Sequence, residues 1–173
     1  RKMTEATKQE KTLFMTRLMT PDMSNFSGKV HGGTILKLLD EAAFTCASRY
    51  CKTYVVTKSL DQVVFKNPIE VGDLVTFKCN VNYVGKTSME IGVRVEGERI
   101  KDKFEYHAIS SYFTMVSVDE NGKPIKVPRI EFTSDTEEKL FEAGKMRCAM
   151  RKEIQERNNK LHVSLDNWIK LWN

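Results

Sequence analysis

A chain of 173 residues is long enough for one domain with a sizeable core and too short for two full ones. Its composition, 40% hydrophobic and 29% charged, excludes wholesale disorder, and no apolar run approaches the roughly 20 residues of a membrane span. The net charge of +5 fits an anionic ligand and fits plain solubility equally well, so it excludes neither.

In chain order, residues 1–10 are polar and expected to be flexible, and RKMTEATKQEK has no apolar core of the kind a secretory signal carries. A cytoplasmic protein is expected on that basis. Thr12 to Met19 is a short apolar run suited to one strand, ended by Pro21. Asp22 to Gly28 are turn and cap formers, after which a helix is expected to begin near Gly33 or Thr34. On a wheel of roughly 100° per residue, Ile35, Leu36, Leu39, Ala42, Ala43, Cys46, Ala47 and Tyr50 form one stripe. Asp40 lies at the edge of that stripe, against apolar neighbours, whereas Glu41 falls on the polar face with Lys37 and Arg49.

After Tyr50 the period changes to alternation. Strands are expected over Tyr54–Phe65, Leu74–Val84, Ser88–Glu96 and Phe104–Val118, with turns at Val71-Gly72-Asp73, Gly85-Lys86 and Glu120-Asn121-Gly122. One helix followed by antiparallel strands is an α+β arrangement in which the sheet covers the helical stripe. From Thr136 to Lys160 the sequence is charged and reads as an amphipathic helical appendage, whose Arg147, Arg151, Lys152, Arg157 and Lys160 alternate with acids as on a solvated face. Trp168, Ile169, Leu171 and Trp172 follow, suited to docking on the core or on a neighbouring subunit, or to a disordered tail. The expected division is 1–10 flexible, 11–130 domain, 131–173 helical extension.

Cys46, Cys51, Cys79 and Cys148 form no CxxC and have no His-rich companion, so free thiols are expected, with no metal and no cofactor. No nucleophile-elbow spacing joins Ser24 or Ser27 to His31, His107 or His162, so a Ser-His-Asp hydrolase is unsupported. A carboxylate poorly solvated beside an apolar stripe can act as base or nucleophile, and Asp40 fits that role. The helix start at Gly32 and Gly33 would offer backbone N–H groups to a developing oxyanion, and Asn25 a side-chain amide. These donors lie about 10 Å along the helix from Asp40, a gap that a symmetric dimer would close by facing Asn25 of one subunit to Asp40 of the other. Each residue has a plainer reading: Asp40 as an ion-paired helix-edge acid, Asn25 as a turn former, His31 as a packing or backbone-bonding residue.

The ordered blocks PDMSN (Pro21 to Asn25), GKVHGGTILKLLDEAA (Gly28 to Ala43), VVTKSLDQVVFKNPIEVGD (Val55 to Asp73), GKTSMEI (Gly85 to Ile91) and SSYFTMVSVDENGKPIKVP (Ser110 to Pro128) resemble the hot dog-fold acyl-CoA thioesterases of the YciA and brain acyl-CoA hydrolase type. The resemblance implies a long central helix wrapped by a curved antiparallel sheet, a homodimer with two composite sites, and commonly a trimer of dimers. It implies hydrolysis of fatty acyl-CoA to fatty acid and CoA, with Asp40 as the catalytic aspartate, Asn25 as the site asparagine across the dimer interface, and Gly33 at the oxyanion position framed by His31 and Gly32. It further places Lys58, Ser59, Lys86, Thr87 and Ser88 along a CoA groove, as candidates for pantetheine and phosphate contacts. No nucleic acid is expected as a partner. The rivals are a non-catalytic acyl-CoA-sensing hot dog module and a hot dog enoyl-CoA hydratase or dehydratase. The first would be expected to lack the carboxylate, and the second would need a differently placed His and acid pair.

Overall fold

The structure is a computed structural model that describes residues 8–161. Strand β1 (Thr12–Leu18) leads through a short 3-10 turn (Pro21–Met23) into helix α1 (Gly32–Cys51), followed by β2 (Tyr54–Leu60), β3 (Leu74–Val84), β4 (Ser88–Arg99), β5 (Phe104–Val118) and helix α2 (Asp135–Lys160). The strands form one antiparallel sheet in the order β1-β3-β4-β5-β2. Since β1 and β2 are its two edges, α1, which joins them, crosses the inner face of the sheet.

Local chemistry sets both ends of α1. His31 caps its start, its imidazole Nδ1 accepting from the Gly33 amide at 3.0 Å, and Lys52 ends it in the left-handed conformation at φ 59°. The helix thus begins one residue before the expected start. Along its inward stripe Leu39, Ala42, Ala43 and Ala47 are fully buried, and the small alanines let the backbone approach the sheet. The alternation of β3, β4 and β5 supplies the opposing surface: Val75, Phe77, Ile91, Val95, Phe113 and Met115. Each large apolar side chain so buried contributes about 1.5–3 kcal/mol, which makes this layer the main source of stability.

The outer face is built differently. A register shift between Val81 and Tyr83 turns both Asn82 and Tyr83 toward outer-face partners. Phe141 of α2 packs on Tyr83 with ring centroids 4.9 Å apart and meets Phe132 at 5.3 Å. Gly144 is buried at the closest approach, where a Cβ would lie 2.6 Å from the Tyr83 Cβ. The sheet therefore carries α2 on its outer face.

Several expectations change in detail. The strand expected over Tyr54–Phe65 ends at Leu60, because beyond it the chain keeps only two backbone–backbone bonds to β5, Asp61 N–H to Tyr112 O and Lys66 N–H to Ala108 O. Strand β4 runs on to Arg99, continuing its pairing with β5. The basic face of α2 is not a solvated one throughout: Arg147 and Arg151 turn into the protein to meet Glu90. The expectation for Trp168, Ile169, Leu171 and Trp172 lies outside the described residues. No helix among the described residues is long and apolar enough to cross a membrane.

Candidate active site

The structure sorts the sequence-derived site residues into three groups. The first is Asp40 with a residue that sequence reading missed. Thr57, on β2, donates its hydroxyl to Asp40 Oδ1 at 2.6 Å, with Met115 Sδ 3.4 Å from the same hydroxyl. The contact arises because α1 and β2 run back past each other through the turn at Lys52, a relation across 17 positions that no local period encodes. Asp40 is exposed in the single chain, not desolvated as its wheel position suggested, and Glu41 is exposed as well, 4.0 Å from Lys37. With one oxygen of Asp40 oriented by Thr57, the other is left to accept a proton or to attack an electrophile.

The second group is the loop before α1. Asn25 Oδ1 accepts from Ser27 N (2.9 Å), Ser27 Oγ (2.7 Å) and Lys29 N (3.2 Å), a turn-forming role that fixes the side chain. Its Nδ2 makes no hydrogen bond among the described residues and stays free to donate. Gly33 departs from expectation: its N–H is already donated to His31, so the Gly32 N–H, without a partner among the described residues, is the first-turn amide open to an oxygen. Phe65 approaches Gly32 to within 3.6 Å of where a Cβ would sit, which puts a ring beside that amide.

The third group lines a groove of about 1110 Å³ between the sheet and α2. Lys58, Ser59, Lys86 and Ser88 share this groove with Arg147 and Lys152 of α2. Thr87 is not among its lining residues; its backbone carbonyl accepts from Ser117 N at 3.0 Å. The groove floor holds an ion cluster. Glu90, 2% exposed, takes bonds from Arg147 Nε (3.1 and 3.0 Å) and Nη2 (2.6 Å), from Arg151 Nη2, and from Asn82 Nδ2 (3.3 Å). Arg151 also grips Asp61 through Nε (2.8 Å) and Nη2 (3.0 Å), and the Arg147 guanidinium lies 3.8 Å from the Tyr112 ring centroid. Burial alone would push the Glu90 carboxyl up, but the two guanidiniums outweigh it and hold the group below its ordinary value.

The family model described as the thioesterase superfamily matches residues 27–102. Protein VdlD of Helicobacter pylori is 46% identical over 139 residues, covering 80% of this chain and 79% of that protein. A solved apo-hexameric acyl-CoA thioesterase is 36% identical with a TM-score of 0.80, covering 84% of this chain and 94% of that one. The chain belongs to the thioesterase superfamily. The α1-and-sheet architecture is accordingly the hot dog fold. Within the superfamily, an acyl-CoA hydrolase of Staphylococcus aureus is 30% identical with a TM-score of 0.79, covers 88% of this chain and 93% of that one, and was solved with butyryl coenzyme A, coenzyme A and coenzyme A disulfide. It has also been solved with an aspartate, a threonine or an asparagine replaced by alanine. Those three residues stand at the same sequence separations as Asp40, Thr57 and Asn25 do here.

Proposed function

We propose that this chain hydrolyses fatty acyl-CoA to free fatty acid and CoA at a site completed by a second copy of itself. The observation that carries the reading is the bonded pair Asp40 and Thr57, with the hydroxyl aimed at one carboxylate oxygen at 2.6 Å. Asp40 acts on the thioester either by taking a proton from water as that water attacks the carbonyl carbon, or by attacking it directly. In the first course the C–S bond then breaks and the CoA sulfur leaves with the proton. In the second the C–S bond breaks to leave an acyl–aspartate anhydride and the CoA thiolate, and water then cleaves the anhydride, releasing the fatty acid, restoring the carboxylate and supplying the proton to the sulfur. Thr57 keeps the carboxylate oriented throughout. The oxyanion is met by donors already in place, the Gly32 N–H and Asn25 Nδ2.

In this reading those donors come from the partner copy, because Gly32 and Asp40 are about two turns apart on one rigid helix. Support for a dimer comes from β2, an edge strand that exposes Tyr54, Val56 and Leu60, with Val64 and Phe65 exposed just beyond it. A trimer of such dimers follows the hexameric relative. Lys58 and Lys86 are the cations that meet the CoA phosphates, with Ser59 and Ser88 along the pantetheine. A cytoplasmic location is supported by four free cysteines, two of which, Cys46 and Cys79, burial pushes up to about 12. His31 and His107 bond Gly33 N and the Ile109–Ser110 segment, which gives no support to a His and acid pair for hydration chemistry.

The test is thiol release from a panel of acyl-CoAs. Asp40→Ala is expected to lower kcat by roughly 10²-fold or more, and Thr57→Ala by less. Unchanged turnover in Asp40→Ala would sink the assignment, and tight acyl-CoA binding without any hydrolysis by the wild type would turn the reading to a sensor.

A further inference from the structure

The segment that carries Thr57 is weakly held by the sheet itself. Strand β2 has a neighbour on one side only, and its pairing with β5 breaks between Thr57↔Met115 and Ser59↔Thr114, leaving Lys58 in a bulge. After Leu60 the ladder stops, with Asp61 N–H to Tyr112 O at 3.0 Å as its last bond before Lys66. Asp61 is also the point where this strand meets the ion cluster.

Arg151 spans that junction. The Nε–Nη2 edge of its guanidinium holds both Asp61 oxygens, and Nη2 also reaches Glu90 on β4, in the interior of the sheet. Arg147, one helical turn earlier, locks Glu90 from the other side. Two acids and two arginines balance in charge. Clusters of this kind, taken out of water, are often no more stabilising than apolar packing of the same volume, so stability does not account for them. What a forked guanidinium supplies is direction, since its planar donors fix the angle of each carboxylate they grip. Here the direction is passed to Asp61, and from Asp61 four residues back along the strand, about 13 Å, to Thr57.

We propose that Arg151, acting through Asp61, is a positioning residue for the Asp40–Thr57 pair: α2 serves as a brace that fixes the free end of β2 relative to the centre of the sheet. The inference rests on the thioesterase reading for its kinetic consequence and on geometry alone for the brace. Neither Arg151 nor Asp61 bonds to Asp40 or Thr57, so both act at a distance.

The experiment compares wild type, Asp61→Asn and Arg151→Lys, alone and with Thr57→Ala. Each single change is expected to lower kcat roughly tenfold with KM within about twofold, because misplacement of a group by a fraction of an ångström acts on the chemical step. Hydrogen exchange of the amides of residues 54–61 should rise in both variants. In the Thr57→Ala background, Asp61→Asn should cost little further, as expected when one residue acts through another. A loss confined to KM would assign Arg151 and Asp61 to ligand binding and overturn the proposal, as would losses that multiply independently of Thr57. If the wild type hydrolyses no acyl-CoA, the thioesterase reading fails by itself, and the exchange measurement still decides the brace: unchanged exchange at 54–61 refutes it.

Discussion

The two faces of the sheet hold their helices by opposite means. On the inner face α1 lays small and branched apolar residues against Phe77, Ile91, Phe113 and Met115, a contact that is deep but non-directional. On the outer face α2 is held by the Phe141–Tyr83 contact, the Gly144 approach, the Lys11–Glu137 ion pair and the buried cluster around Glu90, contacts that are few but tied to particular angles. The difference separates two tasks. Apolar burial makes the domain stable, and the charged clamp decides where the second helix, and the groove beneath it, must sit.

Glu90→Ala is the strongest way to break that contrast. It leaves Arg147 without its carboxylate and Arg151 with Asp61 alone, and is expected to cost about 3–5 kcal/mol, read as a lower urea midpoint and early exchange in α2. Leu39→Ala, fully buried on the inner face, is expected to cost about 2–5 kcal/mol while leaving α2 protected to the point of global unfolding. If both variants lose α2 and the core together, the two faces are one cooperative layer and the contrast fails. Gly144→Ala sharpens it further: the added Cβ meets the Tyr83 Cβ at 2.6 Å, so a loss of about 1–3 kcal/mol is expected in spite of the better helix propensity of alanine.

Acid gives the mildest test. The Glu90 carboxyl in the folded protein lies below its ordinary 4.5, so the unfolded chain takes up the proton first as pH falls. Stability from this group is whole above pH 4.5 and is lost as pH drops through the folded value. Urea midpoints measured from about pH 5 to about pH 3 should fall, and Glu90→Gln should flatten that slope.

How much of this was legible in the sequence depends on whether the relation is local. Helix α1 and the long strands were readable because the periods of Ile35 to Tyr50 and of Leu74 to Val84 report burial directly. Asp40 was singled out by the same wheel, whereas no local period brings Lys58, Ser59, Lys86 and Ser88 to the one groove that they line. Thr57 was not legible, since an exposed threonine in an edge strand looks like ordinary strand composition until the chain turns at Lys52 and brings it to Asp40. The clamp was hidden for a similar reason. Arg147 and Arg151 are spaced as a solvated helix face would be, and their acceptor Glu90 is one of three acids in β4, set apart from Glu96 and Glu98 by no local period. That His31 caps α1 by taking the Gly33 N–H was hidden as well, since the cap can be placed only with ring geometry in hand.

Lys11 carries a consequence for how the fold comes together in time. It is 7% exposed, and its ammonium bonds Glu131 O at 2.6 Å and the Glu137 carboxylate at 2.8 Å, partners 120 and 126 positions further on. Its neighbour Gln9 bonds Arg129 O and Glu131 N across a similar span. A chain leaving the ribosome can pair β3 with β4, and β4 with β5, as soon as each turn is made. It cannot satisfy the Lys11 charge until the start of α2 has emerged. Strand β1 can pair with β3 as soon as β3 is made, but the Lys11 ammonium just before it meets its partners only when the loop to residues 131–137 closes, a late step in the completion of the fold.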